Sequence, residues 1–367
     1  MKINSISLEN FRNIENMIFL PDNEVNVIYG QNAQGKTNIL EAIWLFTGCK
    51  SFRGNKDSEF IKFNNEFSKI SLNYEDTIRE KKAEIIISDK KKALLNGVEK
   101  KSTAEFIGEF YAVIFSPSHL SLIKDGPAVR RKFLDTAICQ LKPKYAKTLS
   151  SYRKVLLQRN SLLKDIQYHS ELYDILDVLD EQLAKYSSLI INERIKYIDL
   201  LSVKSEEIYS GISEQKEKLS IKYLCGIESL KNKEINDVYD FITEKIKQAR
   251  KEDITFKSTS VGPHRDDIEI NIENISARSF GSQGQQRSCA LALKLGESEI
   301  IKDITGENPV ALLDDVMSEL DEKRQDYVLN HIKERQVFLT CCDPSQVLRL
   351  CKGKSFLIEN GKIKEKK

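Results

Sequence analysis

The chain has 367 residues, with 57 Lys and Arg against 55 Asp and Glu, so its formal net charge is only +2. That balance excludes a global field for polyanions, and any nucleic-acid contact must come from local basic patches. No apolar run approaches the roughly eighteen residues of a membrane span, and the start "MKINSISLENFRN" has no apolar leader. Seven cysteines without a CxxC spacing predict buried free thiols in a reducing, cytoplasmic compartment.

Along the chain, "VNVIYG" is a short β-branched run ending in glycine, and "TNILEAIWLFTG" follows with helical apolar spacing and a glycine stop. The segments "KISLNY", "KAEIIIS" and "KALLNGVEKK", the last with an Asn96-Gly97 turn, predict an antiparallel meander laid beside the first strand. Glycine then disappears from 128 to 210. Tyr152, Val155, Leu156, Leu162, Leu163 and Ile166 fall near one helical face, as do Leu172, Ile175, Leu176, Leu179, Leu183, Tyr186 and Ile190. These are consecutive antiparallel helices forming a compact arm, since a helix of about thirty residues spans only about 45 Å. Strand pattern returns at "DITFKSTSVG" and "IEINIEN". The strand "VALLDD", the helix "EKRQDYVLNHIKE", the strand "QVFLTC" and the hairpin "SFLIENGKIK" close the chain. The predicted fold class is α/β: a core over 1–122 and 253–367, interrupted by a helical arm over 123–252.

"GQNAQGKT", residues 30–37, fits G-x-x-x-x-G-K-[ST] with a strand before and a helix after. Gly30, Gln31, Asn32, Ala33, Gln34, Gly35 and Asn38 are then expected to cradle phosphates, with Lys36 on the β/γ-phosphates and Thr37 on Mg²⁺. Such a loop needs a metal-holding acid on a neighbouring strand. Asp314, at the end of Val310-Ala311-Leu312-Leu313, supplies it. Asp315 follows, where a base orients the attacking water, so Asp315 and Lys36 are the expected catalytic groups. Still missing is a group that senses the γ-phosphate. "FGSQGQQRS", before the helix "CALALKLGESEII", presents Ser282, backbone N–H groups and a positive helix end to an anion.

At this point the chain resembles the ATP-binding-cassette ATPases. The turn carrying Ser282, Gly284 and Gln285 looks like their signature, and "SELD" at 318–321 like their D-loop. In that superfamily the signature of one subunit caps ATP held by another, which implies an ATP-dependent homodimer. The insert between Lys36 and Ser282 exceeds that of transporter subunits and falls far short of the long coiled-coil relatives. "LENFRN", "GQNAQGKTNILEAI", "GPAVRRKFLD", "TSVGPHRDD", "SQGQQR" and "LLDDVMSELD" resemble the RecF family of bacterial recombination mediators almost end to end. The resemblance implies an ABC-type ATPase core, ATP and Mg²⁺ as cofactors, and weak DNA-stimulated hydrolysis used as a switch. It also implies binding at single-strand/double-strand junctions of gapped DNA, with RecO and RecR as partners in loading RecA. An ATPase subunit serving a transporter is the alternative. Ser118, His119 and Asp125 depart from the family pattern, and Thr340 in "LTCC" stands where transporters carry a γ-phosphate-sensing histidine.

Arg12 and Arg53 fit phosphate contact and packing equally well. Arg53 with Lys90, Lys91, Lys92, Lys100 and Lys101 forms a candidate DNA-backbone patch, against which stands a solvated hairpin tip. One histidine with two adjacent acids, His264, Asp266 and Asp267, is a poor metal set, and this segment is expected to tie the arm to the core.

Overall fold

The computed structural model describes residues 1–54, 56–166, 169, 171–226, 235–345 and 353–365. The chain divides into two compact units, one of Met1–Leu120, Lys204–Glu217 and Gln283–Lys367, the other of Ser121–Val203 and Lys218–Ser282. The first unit begins with β1 (Lys2–Phe11), β2 (Ile14–Phe19), β3 (Val25–Tyr29), α1 (Lys36–Leu45), β4 (Ser68–Glu75), β5 (Glu80–Ile87), β6 (Lys91–Leu95), β7 (Val98–Lys100) and β8 (Ala112–Phe115). Then come α2 (Ser121–Lys124), α3 (Pro127–Leu141), α4 (Pro143–Asp165), α5 (Leu172–Ile212), β9 (Leu219–Leu224), α6 (Ile235–Phe256), β10 (Asp267–Ile272), β11 (Ile275–Ser276) and α7 (Ala277–Phe280). The first unit is completed by α8 (Gln283–Thr305), β12 (Val310–Asp314), α9 (Glu322–Ile332), β13 (Val337–Cys341), β14 (Gly353–Glu359) and β15 (Lys362–Glu365).

Its two sheets follow from two sequence textures. β8, β12 and β13 are apolar at nearly every position, and they lie in the order β15-β14-β3-β13-β12-β8, parallel apart from β15. Strands buried on both faces read this way. β1, β4 and β5 alternate buried and exposed residues, as strands with one solvated face do, and form the antiparallel sheet β2-β1-β4-β5-β6-β7. The meander is therefore a sheet of its own and not an extension of the first strand. β3 already has β13 on one side and β14 on the other, which leaves it no free edge. Helix α1 is buried nearly all round, with Ile39, Leu40, Ile43 and Trp44 in one core with Ile70 and Ile85 of the antiparallel sheet and Leu312 and Phe338 of the parallel one.

The second unit is not all-helical. "IEINIEN" is β10, paired with β9 and β11 in a three-stranded antiparallel sheet of that unit. "DITF" is the last turn of α6 and not a strand. Asp253 is buried there against Arg159 at 2.7 Å, so tertiary bonding overrides the β-branched local composition. Against the sequence boundaries 123–252 and 253–367, this unit continues to Ser282, and Lys204–Glu217 group with the first unit. Helix α5 has 41 residues, about 60 Å at 1.5 Å per residue and longer than expected. Ile175 on it is exposed and does not join the apolar face. The segment 262–267 binds the arm's own helices together. Arg130 of α3 pairs with Asp267 at 2.7 Å, Tyr152 of α4 bonds His264, and Arg194 of α5 donates to the Pro263 carbonyl at 2.7 Å.

Cysteine usage is mixed. Cys289 and Cys341 are buried, Cys49, Cys139 and Cys225 half-buried and Cys342 exposed, all as free thiols, while Cys351 lies outside the described residues. Among the described residues no helix is long and apolar enough to cross a membrane.

Candidate nucleotide-binding site

The loop between β3 and α1 is shaped by backbone that only a few residues adopt. Gly30 and Gly35 have φ of 146° and 108°, and Ala33 sits in the left-handed region at 64°. A Cβ at Gly30 would lie 2.5 Å from the Ile358 carbonyl oxygen of β14, so the glycine is required by close approach as well as by φ. The loop is braced from outside. Asn13 donates to the Ala33 carbonyl at 3.1 Å and accepts from Asn38 at 2.8 Å. The Asn360 N–H of the terminal hairpin donates to the Gln34 side chain at 2.5 Å. Lys36 lies inside the ring, nearly buried, with its ammonium on the Gly30 and Gln31 carbonyls at 2.5 and 3.0 Å.

Thr37, one residue into α1, donates its hydroxyl to Asp314 Oδ1 at the end of β12, 2.7 Å away. The same oxygen accepts from the Thr340 hydroxyl of β13 at 2.9 Å, and that hydroxyl accepts the Asp315 N–H at 2.9 Å. Burial is the largest influence on the Asp314 carboxyl and pushes it up, although the hydrogen bonds from Thr37 and Thr340 pull the other way. Asp315 has φ of 51°, an uncommon value for a side-chain-bearing residue. Asn13, Asn32, Ala33, Gln34, Gly35, Lys36, Thr37, Asn38, Arg53, Asp315 and Thr340 line one cavity of about 350 Å³.

These residues fit a magnesium nucleotide. At Gly30 and Gly35 a Cβ would meet the Ile358 carbonyl and the Asn13 side chain, so the loop keeps the glycine backbone that phosphate-binding loops use. Lys36 supplies the cation, and a hydroxyl and a carboxylate already within hydrogen-bond distance supply oxygen ligands of the kind Mg²⁺ takes. Among the described residues no group of three or more His, Cys, Asp or Glu side chains could hold a metal.

The other predicted residues fall elsewhere. Ser282 is exposed and immediately precedes α8, and a Cβ at Gly281 would meet the Ala277 carbonyl oxygen at 2.5 Å. Gly284 and Gln285 begin α8 and do not line the cavity; Gln285 donates to Glu217 at 2.7 Å. Arg12 stacks over Phe60 at 4.9 Å and pairs with buried Glu41 at 2.9 Å, which makes it a packing residue. Arg53 both lines the cavity and donates to Asn38 at 2.8 Å. Lys90, Lys92 and Lys101 are exposed and Lys100 half-buried, on or beside the β5–β7 strands, while Lys91 pairs with Asp57 at 3.0 Å. His119 accepts the Ser116 N–H at Nδ1, and burial lowers its basicity well below the usual range. Asp125 bonds Arg130 through its carbonyl, a bond any residue would make. Sequence reasoning missed Asn13 and Glu41 as site-shaping residues and Glu217 as the partner of Gln285. A lone acid inside the apolar helix "NILEAIWL" was the available signal for Glu41, whereas Glu217 gave none.

A parallel sheet carrying this loop, with an acid pair on the strand two places along and a glycine-bearing turn before α8, defines a P-loop ATPase of the head type. The family described as RecF/RecN/SMC N terminal domain matches residues 2–353. The DNA replication and repair protein RecF of Clostridium novyi (strain NT) is 44% identical over 342 residues, 93% of this chain and 92% of that protein. That of Clostridium botulinum (strain Loch Maree / Type A3) is 42% identical over the whole of both. A solved structure described as the recombination mediator protein RecF-ATP in the RecFOR pathway is similar at TM-score 0.92 and 39% identity, covering 100% of this chain and 98% of that one. The chain belongs to the RecF family.

Proposed function

We propose that this protein is an ATP-gated DNA-binding switch of recombinational repair and replication restart. The observation that carries this reading is the Thr37–Asp314 pair, 2.7 Å apart at the mouth of the loop that encloses Lys36. Gly30, Gln31, Asn32, Ala33, Gln34, Gly35 and Asn38 cradle the phosphates. Thr37 and Asp314 hold Mg²⁺, Lys36 neutralises phosphate charge, and Asp315 orients the attacking water. Ser282, Gly284 and Gln285 of a second copy cap the γ-phosphate, so ATP holds two chains together on DNA at single-strand/double-strand junctions. Slow, DNA-stimulated hydrolysis releases them. The solved relative named with ATP and with the RecFOR pathway supports ATP as ligand and RecO and RecR as partners; their joint task is helping load RecA. Arg53 and the lysines 90, 91, 92, 100 and 101 are the proposed DNA-backbone contacts.

The test is fluorescence anisotropy of a labelled gapped duplex titrated with Asp315→Asn protein, which retains the phosphate cradle. Binding at least tenfold tighter in ATP than in ADP is expected. Equal binding in both nucleotides would separate DNA from the ATP site and overturn the reading.

A further inference from the structure

The last turns of α5, residues 204–212, and the loop to Glu217 group with the ATPase unit although the rest of that helix does not. Two bonds fix this segment onto the two elements that flank the acid-pair strand, and a third holds it together internally. The Glu217 carboxylate is used at both ends. Oε2 accepts the hydroxyl of fully buried Tyr209 at 2.6 Å, and Oε1 accepts the Gln285 side-chain amide, in the first turn of α8, at 2.7 Å. Glu214 pairs with Lys323 at 2.7 Å on the first turn of α9, directly after the D-loop candidate. Gly211 lies so close to α9 that a Cβ there would come within 2.4 Å of the Tyr327 hydroxyl. The chain reverses between these points through Glu214 and Gln215, both in the left-handed region at φ 55° and 61°. Non-glycine residues held there in succession mark a segment whose conformation is set by the bonds it makes. Arg324 completes the frame, donating from α9 to Ser288 at 2.9 Å and to the Gly284 carbonyl at 3.3 Å.

From this geometry we infer that Glu217 is a positioning residue: it clamps Gln285, and with it the signature turn, to the end of α5, so that the turn is held in the form that caps nucleotide. The inference rests on the proposed capping by a second copy. A carboxylate that accepts one bond from the long helix and one from the signature helix makes the placement of the turn depend on the placement of α5. Glu217 itself does not line the nucleotide cavity. Its removal therefore acts on the assembly of two chains and leaves loading of one chain with nucleotide in place.

The experiment measures two quantities on the full-length chain. One is the affinity of a fluorescent ATP analogue, and the other is ATP-dependent dimerisation by analytical ultracentrifugation. Both are measured for the parent, Glu217→Ala, Glu217→Gln and Tyr209→Phe. Glu217→Ala is expected to bind the analogue as the parent does and to dimerise about tenfold more weakly, through loss of the charge-assisted hydrogen bond that holds Gln285. Glu217→Gln, whose amide can still accept from Gln285 and donate to Tyr209, is expected to recover most of the loss. Tyr209→Phe covers the case in which Glu217→Ala fails to fold, and should fall between parent and Ala. Undiminished dimerisation of Glu217→Ala, or no recovery in Glu217→Gln, overturns the inference and leaves the capping reading standing. A parent that does not dimerise with ATP overturns the capping reading, and the inference with it.

Discussion

At the phosphate loop the side chain that does most per atom is Thr340. Its hydroxyl donates to Asp314 at 2.9 Å and accepts the Asp315 N–H at 2.9 Å, so a single oxygen orients the proposed metal acid and the backbone of the proposed water-orienting acid. A hydroxyl committed in this way is not free to sense phosphate directly, which separates Thr340 from the role of the transporter histidine. Its effect runs through the two acids. Removing it leaves Asp314 oriented by Thr37 alone and leaves the Asp315 N–H without this acceptor beside a left-handed backbone. Thr340→Val, equal in size, should slow hydrolysis about tenfold while nucleotide affinity changes little, because hydrogen bonds to charged groups are worth about 1.5–3 kcal/mol. Steady-state hydrolysis with a parallel nucleotide titration checks this, and an unchanged turnover would make Thr340 a mere strand residue. The loop and the acids were legible in the sequence because each motif carries its own chemistry at fixed spacing. Asn13 was not, because it braces the loop at Ala33 from 20 positions away, and Glu41 was not, because it reaches the site through Arg53, which lines the cavity.

At the scale of elements, the parallel strands and the P-loop helix were readable because a strand buried on both faces is continuously apolar, and β8, β12 and β13 are. Which sheet a strand joins was not readable. "KISLNY" and "VNVIYG" carry no record that β3 is flanked on both sides by strands that come more than 300 residues later. The end of α6 was misread for a related reason, since buried Arg159 draws in Asp180, Asp253 and Thr259 from three separate segments. The close crossing of α5 and α9 is likewise invisible in sequence, because Gly211 has an ordinary helical setting and no positive φ. Its requirement comes only from Tyr327, whose ring is itself stacked on His331 at 4.9 Å and cannot swing away without losing that contact. Gly211→Ala should therefore destabilise the ATPase unit by about 1–3 kcal/mol through overpacking, even though alanine is the better helix former. Urea unfolding followed by the fluorescence of Trp44, which lies in that unit's core, reads the change. A stabilised variant would show that the crossing can open at no cost.

At the scale of the whole chain, Asp266 is one of several acids, with Asp314 and Glu297, whose carboxyl burial pushes up. Asp266 is buried, and burial pushes its carboxyl up to about 6 despite the hydrogen bond from Tyr223 and the nearby Arg194 and Arg131; Asp135 adds to the rise. An unfolded aspartate titrates near 3.9. Between about pH 4 and pH 6 the folded chain consequently holds a proton here that the unfolded chain has released. Stability from this group is fully present below that window, falls as pH rises through it, and is gone above it. His264, in the same segment, works in the opposite direction. Burial lowers its basicity below the unfolded value, so the unfolded chain gains the proton first and stability is lost as pH falls below about 6.5. The two terms separate in a variant. Asp266→Asn keeps a neutral side chain at every pH and so removes only the first. The melting temperature of the parent relative to Asp266→Asn should be highest at about pH 4 and below and decline by pH 7.5, the reverse of an aspartate stabilised by its ion pair. If the difference instead grows with pH, the attraction of Arg194, 3.6 Å away, outweighs burial, and Asp266 is held in the folded chain as a carboxylate.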